Sequence, residues 1–119
     1  MVYKVKVEAS FSSAHNLRGY KGKCEELHGH NWRVEAVAGK TKLDRIGFVL
    51  DFKYMKKVLG DTLEKLDHKY LNELPYFKKV NPTSENIAKY IYDRLKRGIP
   101  GLISVTVWEN PASCAIYEE

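Results

Sequence analysis

Residues 2 to 14 alternate with a period of two, with Tyr3, Val5, Val7, Ala9 and Phe11 on one side and Lys4, Lys6 and Glu8 on the other. That pattern is satisfied by an extended strand with one buried face and by little else, and His15 continues the apolar side. A second run has the same form: His28, His30, Trp32, Val34, Ala36 and Ala38 share a face opposite Asn31, Arg33 and Glu35. Between the runs, Asn16 to Leu27 holds Gly19, Gly22, two lysines and two acids without any period, and reads as a loop. Two such strands joined by one loop pair as an antiparallel ribbon.

After a turn region from Gly39 to Gly47, Asp51 stands as a helix N-cap before Phe52, Met55, Leu59, Leu63 and Leu66, which are spaced as a buried helical stripe. A second helix follows Asn81-Pro82-Thr83-Ser84. A hydroxyl caps it, Glu85 meets its positive end, Ile87, Ile91 and Leu95 form its stripe, and Gly98 and Pro100-Gly101 end it. Ile103, Val105 and Val107 mark the inner face of a third strand, and Ser113 to Tyr117 pairs back as a fourth beyond Asn110-Pro111. The order ββααββ predicts an α+β fold, a four-stranded antiparallel sheet with two helices packed on one face. Residues 1–119 are the size of one domain.

Composition narrows the function. Charged residues make up 29% and apolar residues 44%, which is a folded chain's balance. No run approaches the ~20 apolar residues of a membrane span. The net charge of +5 suits an anionic partner, although the lysines are dispersed as on a solvated surface. Cys24 and Cys114 are the only cysteines, and Met1 to Lys4 has no apolar core of a secretory leader, so the reading is a cytoplasmic protein with free thiols.

His28 and His30 leave one face of their strand, and His15 has the same inward parity on its neighbour, so three imidazoles can surround one ion and leave a fourth position open. Zinc suits three imidazoles best, and iron, copper or nickel would also bind three such nitrogens. For any one histidine taken alone, the competing reading is a partly buried ring with a hydrogen-bond partner. Cys24, four residues before His28, can serve as a base or nucleophile, can close the site as a fourth ligand, or is simply a buried small residue. Asp67-His68 forms either a proton relay or a cation at a helix C-terminus. Glu109 continues the parity of Val105 and Val107. It is either an inward carboxylate able to accept two parallel N–H groups of a heterocycle or a solvated residue past the strand's end. A non-enzymatic alternative is a basic domain that uses zinc, with Cys24 as fourth ligand, to fix its loop and docks on nucleic acid.

Phe11-Ser12-Ser13-Ala14-His15, Cys24-Glu25-Glu26-Leu27-His28-Gly29-His30, Leu66-Asp67-His68, Pro82-Thr83-Ser84-Glu85-Asn86 and Trp108-Glu109 together resemble the 6-pyruvoyl-tetrahydropterin synthase family, which includes the 6-carboxytetrahydropterin synthases. The resemblance spans nearly the whole chain with its motifs in order. It implies that His15, His28 and His30 bind Zn2+, that Cys24 is the general base, and that Asp67 and His68 complete the proton-transfer group. It further implies that Glu109 anchors the pterin and that Thr83 and Glu85 line its pocket. The fold implied is the tunnelling fold, in which three sheets join into a barrel and two trimers stack as a hexamer with active sites between subunits.

The implied substrate is 7,8-dihydroneopterin triphosphate, whose phosphates Arg18, Lys21 or Lys23 can meet. The compact Cys24 to His28 spacing resembles the members that form 6-carboxy-5,6,7,8-tetrahydropterin for deazapurine (queuosine and archaeosine) biosynthesis. Other members eliminate triphosphate to give 6-pyruvoyl-tetrahydropterin. Glu25, three residues before His28, resembles the variants that release a hydroxymethyl pterin for folate, so a dual activity is open.

Overall fold

The computed structural model describes residues 1–22 and 25–119. Its elements are β1 (Tyr3–His15), β2 (His28–Lys40), α1 (Phe52–Glu64), a 3-10 turn (Leu71–Glu73), α2 (Pro75–Lys79), α3 (Ser84–Leu95), β3 (Leu102–Asn110) and β4 (Ser113–Glu118). The strands form one antiparallel sheet in the order β1-β2-β3-β4. With α1 and α3 laid over one face, this is the expected ββααββ arrangement.

The first two strands pair over their full length, from Tyr3 opposite Lys40 to His15 opposite His28. Their odd and even parities therefore stay in phase, and Val7, Phe11, Ser13 and His15 of β1 face the helices with Trp32, Val34, Ala36 and Ala38 of β2, all buried. The core between sheet and helices is completed by Met55, Leu59 and Leu63 of α1, by Ile87, Ala88, Ile91 and Leu95 of α3, and by Val105 and Val107 of β3. Asp51 caps α1 by accepting from Lys53 N at 2.8 Å, and Thr83 caps α3 by accepting from Asn86 N at 3.1 Å.

Several features depart from the sequence reading; at the register shift beside Val37 and Ala38, for one, Leu102 rather than Ile103 packs against the core. Phe52 opens the expected helical stripe but is 54% exposed, and the buried stripe of α1 begins at Met55. The 3-10 turn and α2 lie between the two long helices without a signal in the sequence. They bury Leu71 and Phe77 completely with only three and five residues, too few to show a period. Glu35 lies on the helix-free face as expected but is only 8% exposed. Lys6 Nζ sits 2.8 Å from it, Trp108 Nε1 donates to it, and Arg33 stacks 4.6 Å over the Trp108 ring. The hydrogen bond from Lys6, with that from Trp108, holds the Glu35 carboxyl below its ordinary value.

The turn after Leu66 covers the outer edge of β1 at its histidine end. Ser12 N donates to Asp67 Oδ1 at 2.8 Å, His68 N donates to Ser12 O at 2.6 Å, and Ala14 N donates to Lys69 O at 3.0 Å. Buried Ser13 Oγ donates to Leu66 O and accepts from Lys69 N. Among the described residues, the turn leaves open only the earlier part of the β1 edge.

At the opposite end of the sheet, Gly101 adopts φ +73, and a Cβ there would stand 2.5 Å from Gly39 O, beside the 2.9 Å bond from Gly39 N to Gly101 O. No L side chain fits that approach. Gly101→Ala is expected to cost about 2 kcal/mol or more, above the ~1 kcal/mol of an average substitution. Urea unfolding checks this, and an unchanged midpoint would show that the two loops do not depend on each other.

Candidate functional site

At the loop end of the β1–β2 ribbon the three histidines converge. One nitrogen each of His15, His28 and His30 and one carboxylate oxygen of Glu109 lie within 4.8 Å of one another, an arrangement able to hold a metal ion. The strands fix it: His15 is opposite His28, Ser13 is opposite His30, and the ring of Trp32 forms the floor, with centroids 4.9 Å from His15 and 5.0 Å from His30. His15 is fully buried and Trp32 stacks on Phe11 beneath.

The protons on two of the rings are assigned by their backbone partners. His15 Nδ1 lies 2.7 Å from Pro82 O, and His28 Nδ1 lies 2.8 Å from Glu26 O. A carbonyl oxygen only accepts, so each Nδ1 carries the hydrogen and each Nε2 presents a lone pair. These two Nε2 atoms face each other at 3.0 Å. Two lone pairs at that distance repel unless a cation stands between them, and a backbone carbonyl behind a ligating imidazole is the usual support of a metal site. His30 Nε2 is buried with no hydrogen-bond partner among the described residues, a further donor atom that a metal would satisfy.

Burial holds the His15 imidazole below its ordinary value, against the opposing pull of the Pro82 carbonyl, and burial does the same to His30 against the pull of Glu109. Both rings are thereby kept in the neutral form that binds metal.

Glu109 points inward. The register of β3 against β4 shifts between Trp108 and Asn110, a bulge that falls on Glu109, and its Oε1 lies 3.3 Å from His30 Nε2 and 3.5 Å from His15 Nε2. The alternative of a solvated residue past the strand's end is set aside by these distances. What the sequence did not convey is that this carboxylate shares the histidines' focus. The parity of Val105 and Val107 was the available signal for its direction, but not for its reach.

Asp67 and His68 stand outside that group of four atoms. His68 Nδ1 lies 2.9 Å from Asp67 Oδ2, and the His68 side chain is 83% exposed. The Ser12 N–H, and after it His68, hold the Asp67 carboxyl below its ordinary value. His68 has φ +55, the left-handed region that a non-glycine residue enters at a cost. The bonds to Ser12 and Ser13 on either side over-determine it.

Thr83 caps α3 and Glu85 is exposed on its first turn, just beyond the Pro82 carbonyl that holds His15. Arg18 donates from Nη2 to Phe77 O at 2.7 Å, which spends part of its guanidinium on joining the loop to α2, and Lys21 is exposed. Cys24 and Lys23 lie outside the described residues. An apolar hollow of about 340 Å³ lined by Tyr3, Val5, Phe48 and Phe52 sits at the other end of β1. By strand rise it is roughly 40 Å from the histidines, and none of the four metal-binding candidates lines it.

An α+β sheet with a histidine–carboxylate group at one end defines a candidate metalloenzyme. The chain belongs to the 6-pyruvoyl tetrahydropterin synthase family, whose model matches residues 4–119. It is 39% identical to a 6-carboxy-5,6,7,8-tetrahydropterin synthase of Synechocystis, over 98% of this chain and 92% of that one. It is 37% identical to a dihydroneopterin monophosphate aldolase of Pyrococcus furiosus, over 92% of each. Among solved structures, the 6-pyruvoyl tetrahydropterin synthase of Caenorhabditis elegans matches with a TM-score of 0.90 and 29% identity, covering 100% of this chain and 96% of that one.

The depressed His15 and His30 values fix a sign for the metal-free protein. Above about pH 6.5 both folded and unfolded chains leave these rings neutral. As pH falls through that value, the unfolded chain binds protons that the folded one refuses, and stability is lost. The urea midpoint of chelator-treated protein is expected to drop between about pH 7.5 and about pH 5.5, with a shallower drop in His15→Leu. A flat wild-type profile over that range would contradict the assignment.

Proposed function

We propose that this protein is a zinc-dependent lyase that acts on 7,8-dihydroneopterin triphosphate and forms 6-carboxy-5,6,7,8-tetrahydropterin, a precursor of deazapurine bases. The observation that carries the reading is the convergence of three imidazole Nε2 atoms, two of them with their Nδ1 protons committed to carbonyls. Family membership and 39% identity to a 6-carboxytetrahydropterin synthase support the substrate class and the product.

His15, His28 and His30 would hold the zinc, with the Pro82 and Glu26 carbonyls fixing the tautomers of the first two. A zinc ion there supplies a Lewis acid that acidifies side-chain hydroxyls. Cys24 removes a proton from the pterin side chain as general base, and His68, oriented by the anionic Asp67, moves a proton on the opposite face. Glu109 accepts the paired N–H groups of the pterin edge, while Thr83 and Glu85 line the ring's pocket. His68 is exposed and stands outside the cluster around His15, which supports a site completed by the Asp67–His68 pair of a neighbouring subunit.

The sheet supports such an assembly. Its edges are β1 and β4, and head-to-tail pairing of one with the other closes a ring without leaving an edge exposed. A trimer of this kind, doubled into a hexamer, would also cover the exposed Tyr3 and Ile116 on those two strands. No helix of the described residues is long and apolar enough to cross a membrane. A cytoplasmic location agrees with that and with the exposed free Cys114.

A second reading has its own support. Glu25 adjoins Cys24, and the aldolase of Pyrococcus furiosus is 37% identical, so cleavage to a hydroxymethyl pterin is the alternative outcome. Zinc-loaded protein incubated with 7,8-dihydroneopterin triphosphate is expected to yield acetaldehyde, triphosphate and the carboxypterin, identified by mass. A hydroxymethyl or a pyruvoyl pterin as the sole product would replace the present reading with one of the other two. Cys24→Ala is expected to lower turnover by about 10²-fold or more while zinc stays near about one ion per chain. Loss of the metal instead would make Cys24 a ligand.

A further inference from the structure

Two tasks fall on one carboxylate. Three of the edges in the four-atom group measure 3.0 Å (His15 Nε2 to His28 Nε2), 3.3 Å (His30 Nε2 to Glu109 Oε1) and 3.5 Å (His15 Nε2 to Glu109 Oε1). A tetrahedron built on bonds of about 2.0–2.1 Å has edges of about 3.3 Å, which the edges from Glu109 Oε1 to His15 and His30 match; the four atoms lie within 4.8 Å of one another, so a small shift of Oε1 brings it to the fourth position of a zinc ion. Its side chain is 31% exposed, against 23% for His30 and none for His15, which puts it on the solvent side of the group.

His15 and His30 cannot leave that focus without disturbing packed strands, since both rest against the buried Trp32 ring and His15 is locked to Pro82. Glu109 can. It stands at a bulge rather than in a regular pair, and among the described residues no hydrogen-bond donor holds its carboxylate, unlike that of Glu35, which Lys6, Arg33 and Trp108 fix. Accepting two parallel N–H groups of a ring requires both carboxylate oxygens turned toward the ring. An oxygen at the fourth zinc position is turned the other way, so the two engagements exclude each other.

We propose that Glu109 is an exchangeable fourth ligand: it closes the metal site in the resting protein and is drawn away by the pterin ring, which opens the coordination position as the substrate's hydroxyls arrive. The proposal rests on the reading of Glu109 as the pterin anchor. It makes ring recognition the event that unlocks the ion, so that small hydroxylated molecules without a pterin meet a site already occupied by a carboxylate.

The test is competition, read without turnover. Zinc affinity is measured against a chromophoric chelator at fixed pH for the wild type and for Glu109→Gln, each with and without saturating 2-amino-4-oxopteridine, the bare ring with no side chain to reach the ion. Ring binding is followed separately by its fluorescence. Without the ring, Glu109→Gln is expected to bind zinc about tenfold or more weakly than the wild type. The ring is expected to weaken zinc binding in the wild type by at least about fivefold, with zinc weakening the ring by the same factor, and to have no such effect in the variant.

Equal zinc affinity in the two proteins overturns the proposal. So does a wild type that binds the ring without any change in zinc affinity, a comparison that needs no variant and leaves the anchor reading standing. If the ring binds both proteins equally, or neither, the anchor reading fails and the exchange falls with it.

Discussion

Two imidazole lone pairs aimed at each other across 3.0 Å set the terms for everything else at this end of the molecule. The Nδ1 protons of His15 and His28 are committed to the Pro82 and Glu26 carbonyls, so neither ring can turn its proton toward the other without breaking a buried or local bond. Burial opposes the remaining remedy, protonating His15 outright. A divalent cation would resolve the conflict and would give His30 Nε2 the partner it otherwise lacks among the described residues. The site is therefore prepared by its surroundings rather than merely permitted by its composition.

That preparation depends on the unbroken register of β1 and β2. A slip by one residue would send His15 to the helix-free face while His28 and His30 stayed inward. Phe11, Trp32 and Val34 anchor the pairing from the core side. The Leu66–Tyr70 turn is clamped to the outer edge of β1 through Ser12, Ser13 and Ala14, so the pair Asp67–His68 is carried on the strand that carries His15. Pro82, which begins the approach to α3, reaches back to the same histidine. Three separate stretches of chain thus meet at one strand end.

The parts of this arrangement that follow a period were readable from the residues. Alternation through Val2–Ala14 and His28–Ala38 gave both strands and the common direction of His15, His28 and His30, and the spacing of Met55, Leu59 and Leu63 gave α1. The parts that depend on backbone groups or on contacts between distant segments were not. A carbonyl such as that of Pro82 or Glu26 has no signature in a sequence. The 3-10 turn and α2 are too short to show a rhythm, and Glu35 is buried by Trp108, which lies on another strand. Glu109 is the intermediate case: its parity gave the inward direction, while the bulge that brings Oε1 to the histidines emerges only when β4 is paired with β3.

Zinc-edge X-ray absorption of the zinc-loaded protein without substrate reads the atoms that bind the ion. The account predicts three imidazole nitrogens and one oxygen at about 2.0–2.1 Å, with the outer scattering of three rings. A sulfur scatterer at about 2.3 Å, or fewer than three imidazoles, would contradict it.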